Sequence, residues 1–422
     1  MQRATLTFEK IVPEGKALGY ADGKACFCVG PLPGETAEVE ITRDKKRYCE
    51  ARLIRIIAPA TSRTSKTEGH YLACSPWQGV DYSEQLRLKR AMLNETFGRP
   101  ELRLKVTEMI GAPQPSSYRN KLEFAVRIRE GEVAELALHE RNTANEFVAA
   151  PDGCRLGSEA MNRAALAVLE RINRQQLGRR TQSIMVREGS ADHSIAVAVR
   201  MAGAAKVDWQ SLMVPGISGL YIYRADTAGV QHLLWQRGAE TVTERLGELE
   251  LRAPVLSFFQ TNPPAFEQAL DLIAAAVPAG STVVDAYGGT GAIGLRLAGT
   301  AAQVVGIESD AAAAEVATAN ADRAGISNYR SLAGPTETHR EALQTADVVV
   351  VDPPRAGLTS EFIRHLLSAK PERIIYLSCN PATQARDLIA LSPSYMAGDV
   401  AGLDFYPGTL HLESLSVLTR RT

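Results

Sequence analysis

Over residues 1–57 short runs alternate apolar and polar positions, AEVEITR and ARLIRII among them, with Gly, Pro and Asp between the runs, as in GPLPGE. Period-two alternation turns one face of each run inward, and closely spaced turns predict a small β-barrel. Ser, Thr and Lys dominate Thr61 to Glu68, which reads as a linker. YSEQLRLKRAMLNETFGR then has the spacing of an amphipathic helix. The rest of residues 64–240 reads as an α+β domain. LEFAVRIRE and EVAELALHE form a hairpin, ALAVLERINRQQ a helix, and SIMVREG, SIAVAVRM and GLYIYRAD further strands.

Residues 241–422 follow another grammar, clearest from Ser257 onward. STVVDAY, AQVVGIESD, ADVVVVDPP and RIIYLSC are short, continuously apolar strands, separated by the helical stretches IGLRLAG, AAAAEVATANADRAG and FIRHLLSA. Strands buried on both faces with crossover helices predict a Rossmann-like, doubly wound α/β sheet. A ligand is expected beyond the C-terminal strand ends.

The 422 residues allow two or three such domains. Lys and Arg number 47 and Asp and Glu 48, so the chain as a whole is no basic nucleic-acid sponge. A local footprint is a candidate in Arg87, Lys89, Arg90, Arg99, Arg103, Lys105, Arg119, Lys121, Arg127 and Arg129, equally readable as solvated faces. No run approaches the roughly 20 apolar residues of a membrane span, and MQRATLTFEK lacks a signal-peptide core. A cytoplasmic monomer is expected. Six scattered cysteines fit reduced thiols better than a disulfide framework.

The turn YGGTGAIG follows a strand ending in Asp285 and opens a helix, so its glycines let backbone amides approach a ligand. Gly289, Gly291 and Gly294 satisfy a dinucleotide pattern, and Glu308 ends the next strand where an acid can bind a ribose. Alone, these residues suit a nicotinamide dehydrogenase and a methyltransferase equally. VVVVDPPRAG breaks the tie by setting Asp352 in a rigid loop at the same mouth, and YLSCNPAT adds a thiol, Cys379. C5 of uracil is too weak a nucleophile to attack a methyl sulfonium until a thiolate adds at C6, and a base must then remove the C5 proton. Glu413, His411 and Asp352 are the candidate bases.

On these motifs the chain resembles the RNA 5-methyluridine methyltransferases that modify tRNA and rRNA. VGPLPGE and KKRYCEARL resemble that family's TRAM domain, an oligonucleotide-binding barrel. SPWQGVDYSEQLRLK and YRNKLEFAV resemble its central domain, and FFQTNP, DAYGGTG, GIESD, VDPPRAGL, LSCNPAT and YPGTLHLES its catalytic domain. The resemblance implies that Cys379 is the nucleophile and Glu413 the base. It also implies that Gln260, Tyr287, Gly289, Glu308 and Asp352 line an S-adenosylmethionine site, and that structured RNA is the partner. Rival readings are a methyltransferase acting on an exocyclic amine, disfavoured because Arg355 rather than an aromatic follows the two prolines, and a silent RNA-binding relative.

The chain departs from the family at three places. Many relatives hold an iron–sulfur cluster on four cysteines, but only Cys74 and Cys154 stand where ligands are expected, so no cluster and no metal ligands are assigned. His70 leaves room for a different metal site. An acid near the adenine is replaced by Pro335, which shifts adenine contacts to backbone or to Thr336 or Glu337. A histidine of the C-terminal motif is replaced by Gly408.

Overall fold

The computed structural model describes residues 2–64, 68–128, 131, 133–141, 143, 146–203, 207–227 and 229–421. The linker Thr61 to Glu68 is thus described only in part, and Arg129 lies outside the described residues. None of the described helices is long and apolar enough to cross a membrane.

Strands Arg3–Ile11, Ala17–Ala21, Lys24–Cys28, Thr36–Asp44 and Tyr48–Ala58 close into a barrel. Leu6 and Phe8 point inward by simple alternation, and a bulge between Phe8 and Lys10 turns Ile11 inward as well. Cys26, Cys28 and Cys49 fill the same interior. The barrel core is continuous with the rest of the molecule: Phe8 and Leu53 belong to one apolar cluster with Leu88, Met92, Leu93 and Phe97, and with Leu388 and Leu412 near the C-terminus.

A seven-stranded sheet occupies the middle of the chain, in the order Gln231–Gly238, Gly219–Ala225, Ile195–Met201, Thr181–Glu188, Lys121–Ile128, Ala134–His139 and Phe147–Ala149. Helix Glu159–Arg174 covers one face, its N-terminus capped by Ser158 accepting the Met161 amide. A hairpin of Thr241–Leu246 and Leu249–Pro254 follows.

The last sheet has eight strands. Five are parallel, in the order Tyr329–Ala333, Gln303–Glu308, Thr282–Ala286, Val348–Val351 and Arg373–Ser378. Val348–Val351 is buried throughout, as a strand between two helical layers must be. Glu413–Arg420 then runs antiparallel, followed by Tyr395–Leu403. The far edge is covered by Val106–Ile110, parallel to Tyr395–Leu403. This strand comes from the stretch read as central domain, and it protects an edge that would otherwise expose its hydrogen-bonding groups.

The basic run between Arg87 and Arg127 is largely engaged by groups of the same chain, although Arg87 and Arg90 stay exposed. Arg87 pairs with Glu84 and Arg127 with Glu135, while Arg90 donates to the carbonyls of Val106 and Thr107. Lys89 is fully buried, 2.6 Å from Asp404. Arg99, Arg103 and Lys105 are exposed without an acidic partner among the described residues, too few for a continuous stripe.

Candidate active site

Strand Thr282–Ala286 delivers Asp285 beneath the glycine turn, where its Oδ2 accepts the Gly294 amide at 2.9 Å and its Oδ1 has no partner among the described residues. Burial pushes this carboxyl up to about 7, with the charges of Asp352 and Glu308 adding to the effect. The chain then turns through Tyr287 at φ +81°, a left-handed conformation rare for an aromatic residue. The turn is held because the amides of Tyr287 and Gly288 both donate to the Ile307 carbonyl. Gly294 has no room for a side chain, since a Cβ would sit 2.6 Å from the Tyr329 ring.

Glu308 ends the neighbouring strand. One carboxylate oxygen accepts the Gly289 amide at 2.9 Å, and the other accepts the Asp310 amide at 2.7 Å and the Ser309 hydroxyl at 3.0 Å. Strand and glycine turn thus fix each other. Asp352, after Val348–Val351, is half-buried and opens onto the cavity. Burial raises its carboxyl above the usual range, partly offset by the Gln260 amide at 3.3 Å.

Cys379 follows strand Arg373–Ser378, and Glu413 begins Glu413–Arg420. Because Ser378 pairs with Ser414, the register sets Cys379 and Glu413 opposite one another at the strand ends. Asn380 braces this mouth, accepting the Ala382 amide to cap helix Pro381–Leu391 and donating to the Arg355 carbonyl at 2.9 Å. The Cys379 thiol is pushed up to about 11 by burial first, then by the charges of Glu413 and Asp352, while Arg355 pulls the other way. Glu413 is raised well above the ordinary carboxyl range by burial and by Asp352. Tyr406 donates to its Oε1 at 3.4 Å, and its buried Oε2 has no partner among the described residues.

Two cavities meet here. The larger, about 520 Å³, is lined by Gln260, Tyr287, Gly289, Glu308, Asp352, Cys379 and Glu413, the residues that the family resemblance implies for the cofactor site, the nucleophile and the base. Phe258, Phe259 and Ile293 supply apolar wall, and the orphaned Gln260 Oε1 and Glu413 Oε2 leave acceptors for a ligand to satisfy. The smaller, about 230 Å³, is lined by Pro13 and Glu14 of the barrel, Met92, Arg355, Cys379 and His411 among others. Cys379 and Arg355 are common to both, so the thiol stands at their boundary.

Thr336 and Glu337, suggested as adenine contacts, do not line the larger cavity. Thr336 is buried against Tyr287, and Glu337 accepts the Thr359 hydroxyl at 2.6 Å. His411 faces only the smaller cavity. Its Nδ1 lies 3.0 Å from Arg355, and burial together with nearby cations holds it neutral, down to about 3. Sequence reasoning missed Phe258, which is 72% exposed at the rim, and Tyr406. It also missed the Lys89–Asp404 pair, which supports the loop ahead of Glu413 as Lys89 Nζ donates to the Tyr406 carbonyl at 3.0 Å.

Residues 242–421 match the family described as tRNA (Uracil-5-)-methyltransferase, and residues 2–54 match the TRAM domain. An uncharacterized RNA methyltransferase of Lactiplantibacillus plantarum is 30% identical, the alignment covering 100% of this chain and 93% of that one. The chain belongs to the RNA uracil-5-methyltransferase family. A second RNA methyltransferase of this kind, from Bacillus cereus, is also 30% identical, covering 100% and 97%. Among solved structures, the Pyrococcus abyssi tRNA (uracil-54, C5)-methyltransferase in complex with S-adenosyl-L-homocysteine superposes with a TM-score of 0.76 at 23% identity, covering 99% of this chain and 100% of that one. The α/β catalytic domain behind an N-terminal TRAM barrel is therefore the family's architecture.

The four-cysteine iron–sulfur cluster ascribed to many relatives does not fit this chain. Cys26, Cys28 and Cys49 are buried inside the barrel, and Cys379 is at the mouth of the catalytic sheet. Among the described residues, Cys74 and Cys154 come together with Glu68 and His70 rather than with further cysteines.

Proposed function

We propose that this protein methylates C5 of a uridine in structured RNA, tRNA or rRNA, through a transient bond between Cys379 and C6. The observation that carries the proposal is the placement of Cys379 opposite Glu413 at the boundary of two cavities, one of a size for a cofactor and one for a base. S-adenosylmethionine, when bound in the larger cavity, supplies an electrophilic methyl group on a sulfonium whose positive charge suits the carboxylate of Asp352, with the ribose toward Glu308. Gln260 and Glu308 offer it hydrogen-bonding groups, and Tyr287 offers packing surface.

The uracil enters the smaller cavity, extruded from its stack because neighbouring bases otherwise cover C5 and C6. Cys379 adds to C6 as a thiolate, which places an electron pair on C5 and the C4 oxygen. Arg355 is the cation beside this developing charge. Once C5 carries the methyl group, Glu413 takes the remaining C5 proton, the C5–C6 double bond re-forms and the Cys379 thiolate leaves. A buried carboxylate with an orphaned oxygen is a stronger base than an exposed one, which suits this step. His411, held neutral and bonded to Arg355, serves better to orient that guanidinium.

The barrel of residues 1–57 and the central segment of residues 64–240 are proposed to hold the RNA around the extruded base. Pro13 and Glu14 bring the barrel to the edge of the base pocket. The protein is proposed to work in the cytoplasm as a monomer. The test is transfer of a labelled methyl group from S-adenosylmethionine to RNA from cells lacking this enzyme, followed by nucleoside analysis. Labelled 5-methyluridine is expected. Label on an exocyclic amine, or no transfer at all, would overturn the reading.

A further inference from the structure

Where two of the four cysteines of a cluster would be missing, Glu68 and His70 stand beside Cys74 and Cys154. One ligand atom from each of the four lies within 4.8 Å of all the others. We propose that Glu68, His70, Cys74 and Cys154 bind a single zinc ion as a closed structural site. Tetrahedral zinc with bonds of about 2.0 to 2.3 Å holds its ligand atoms roughly 3.3 to 3.8 Å apart. The four groups therefore need only a small contraction to close on a metal.

Hydrogen bonding around the cluster has the arrangement that a metal site requires. His70 Nε2 lies 2.9 Å from the Gly153 carbonyl, which fixes the proton on that nitrogen and leaves the Nδ1 lone pair aimed at Cys74 Sγ, 3.3 Å away. A ligand histidine anchored through its other nitrogen is the usual pattern at zinc. Glu68 is oriented in the same way: Gln78 donates to Oε2 at 2.6 Å and the Arg155 amide to Oε1 at 2.6 Å, and free lone pairs remain. His70 and Cys154 are buried and the Glu68 side chain nearly so, a costly place for such groups unless they are paired. Two thiols, one imidazole and one carboxylate suit borderline-soft zinc, and on binding the two thiol protons pass to solvent.

Four protein ligands leave no open position, so the ion would cross-link rather than catalyse. It would join the segment leaving the barrel to the loop after Phe147–Ala149. The same segment supports the catalytic loop, since the Trp77 amide donates to the Gly408 carbonyl at 2.9 Å and Gln85 accepts the Gly408 amide at 2.7 Å.

Metal analysis of full-length protein, purified with and without oxygen from zinc-supplemented cells, tests the proposal. One zinc per chain without inorganic sulfide is expected, lost in Cys154→Ser and in His70→Ala and kept in Cys379→Ser. Should the ligand variants fail to fold, cobalt titrated into metal-stripped wild-type protein gives the same answer. Thiolate-to-cobalt charge-transfer bands saturating at one equivalent support the site. Zinc-free protein with no cobalt–thiolate bands, a brown protein with several irons and sulfide per chain, or zinc lost in Cys379→Ser would each overturn it.

Discussion

Asp285→Asn should make the protein more resistant to alkaline conditions, and the size of the effect follows from burial. Asp285 is fully buried, one oxygen on the Gly294 amide and the other without a partner among the described residues. Its carboxyl rises from 3.8 to about 7, mainly because burial penalises the charge. Below pH 3.8 the group is protonated in folded and unfolded chains alike and stability does not depend on it. Between 3.8 and 7 the unfolded chain releases the proton while the folded chain keeps it, so stability falls as pH rises, and above 7 the loss is complete at about 4 kcal/mol. An asparagine oxygen can still accept the Gly294 amide, and its amide nitrogen replaces an oxygen that is already orphaned. Urea unfolding of both proteins at about pH 5 and about pH 8 should therefore show the difference moving roughly 3 kcal/mol toward the variant. A constant difference between the two pH values would refute the reasoning, because it would mean that Asp285 titrates normally in the fold.

Asp352→Asn should weaken S-adenosylmethionine by about 1 to 3 kcal/mol and neutral S-adenosylhomocysteine by less, whereas Glu308→Gln should weaken both alike; calorimetry with the two ligands separates a charge contact from a ribose contact. Asp404→Ala strands the Lys89 ammonium in a fully buried position and should cost about 3 to 5 kcal/mol in urea unfolding, while Lys89→Met with Asp404→Leu should cost much less. With the Cys379 thiol pushed up to about 11, its reactive thiolate fraction grows about tenfold per pH unit, so kcat/KM for RNA should climb through neutral pH without a plateau. A plateau already at neutral pH would show that the free enzyme stabilises the thiolate.

Much of the catalytic half was legible because its chemistry is local. VVVV can only be a strand buried on both faces, DAYGGTG announces a strand, a left-handed turn and a helix within a few residues, and Cys379 and Glu413 each sit at the end of a recognisable strand. What stayed hidden depends on distant partners. VTEMI carries too few apolar residues to declare itself a strand, and its neighbour, Tyr395–Leu403, comes nearly at the end of the chain. Lys89 lies in an amphipathic helix, within a basic run readable as a nucleic-acid footprint or as solvated faces, yet Asp404 draws it into the core. Thr336 and Glu337 looked like adenine contacts by position in the chain, but Thr336 hydrogen-bonds the Tyr287 side chain, Glu337 accepts the Thr359 hydroxyl, and neither lines the larger cavity. Glu68 gave no signal as a ligand, because nothing in an isolated glutamate distinguishes it from a surface acid.

The central claim is covalent catalysis by Cys379 with Glu413 as the base that frees the product. Glu413→Gln should permit addition and methylation but block proton removal, so the RNA stays attached to Cys379. A denaturing gel of this variant with substrate RNA and S-adenosylmethionine should show a slow-migrating protein–RNA band that disappears when Cys379 is also replaced. Rapid, clean turnover by Glu413→Gln with no trapped band would contradict the account.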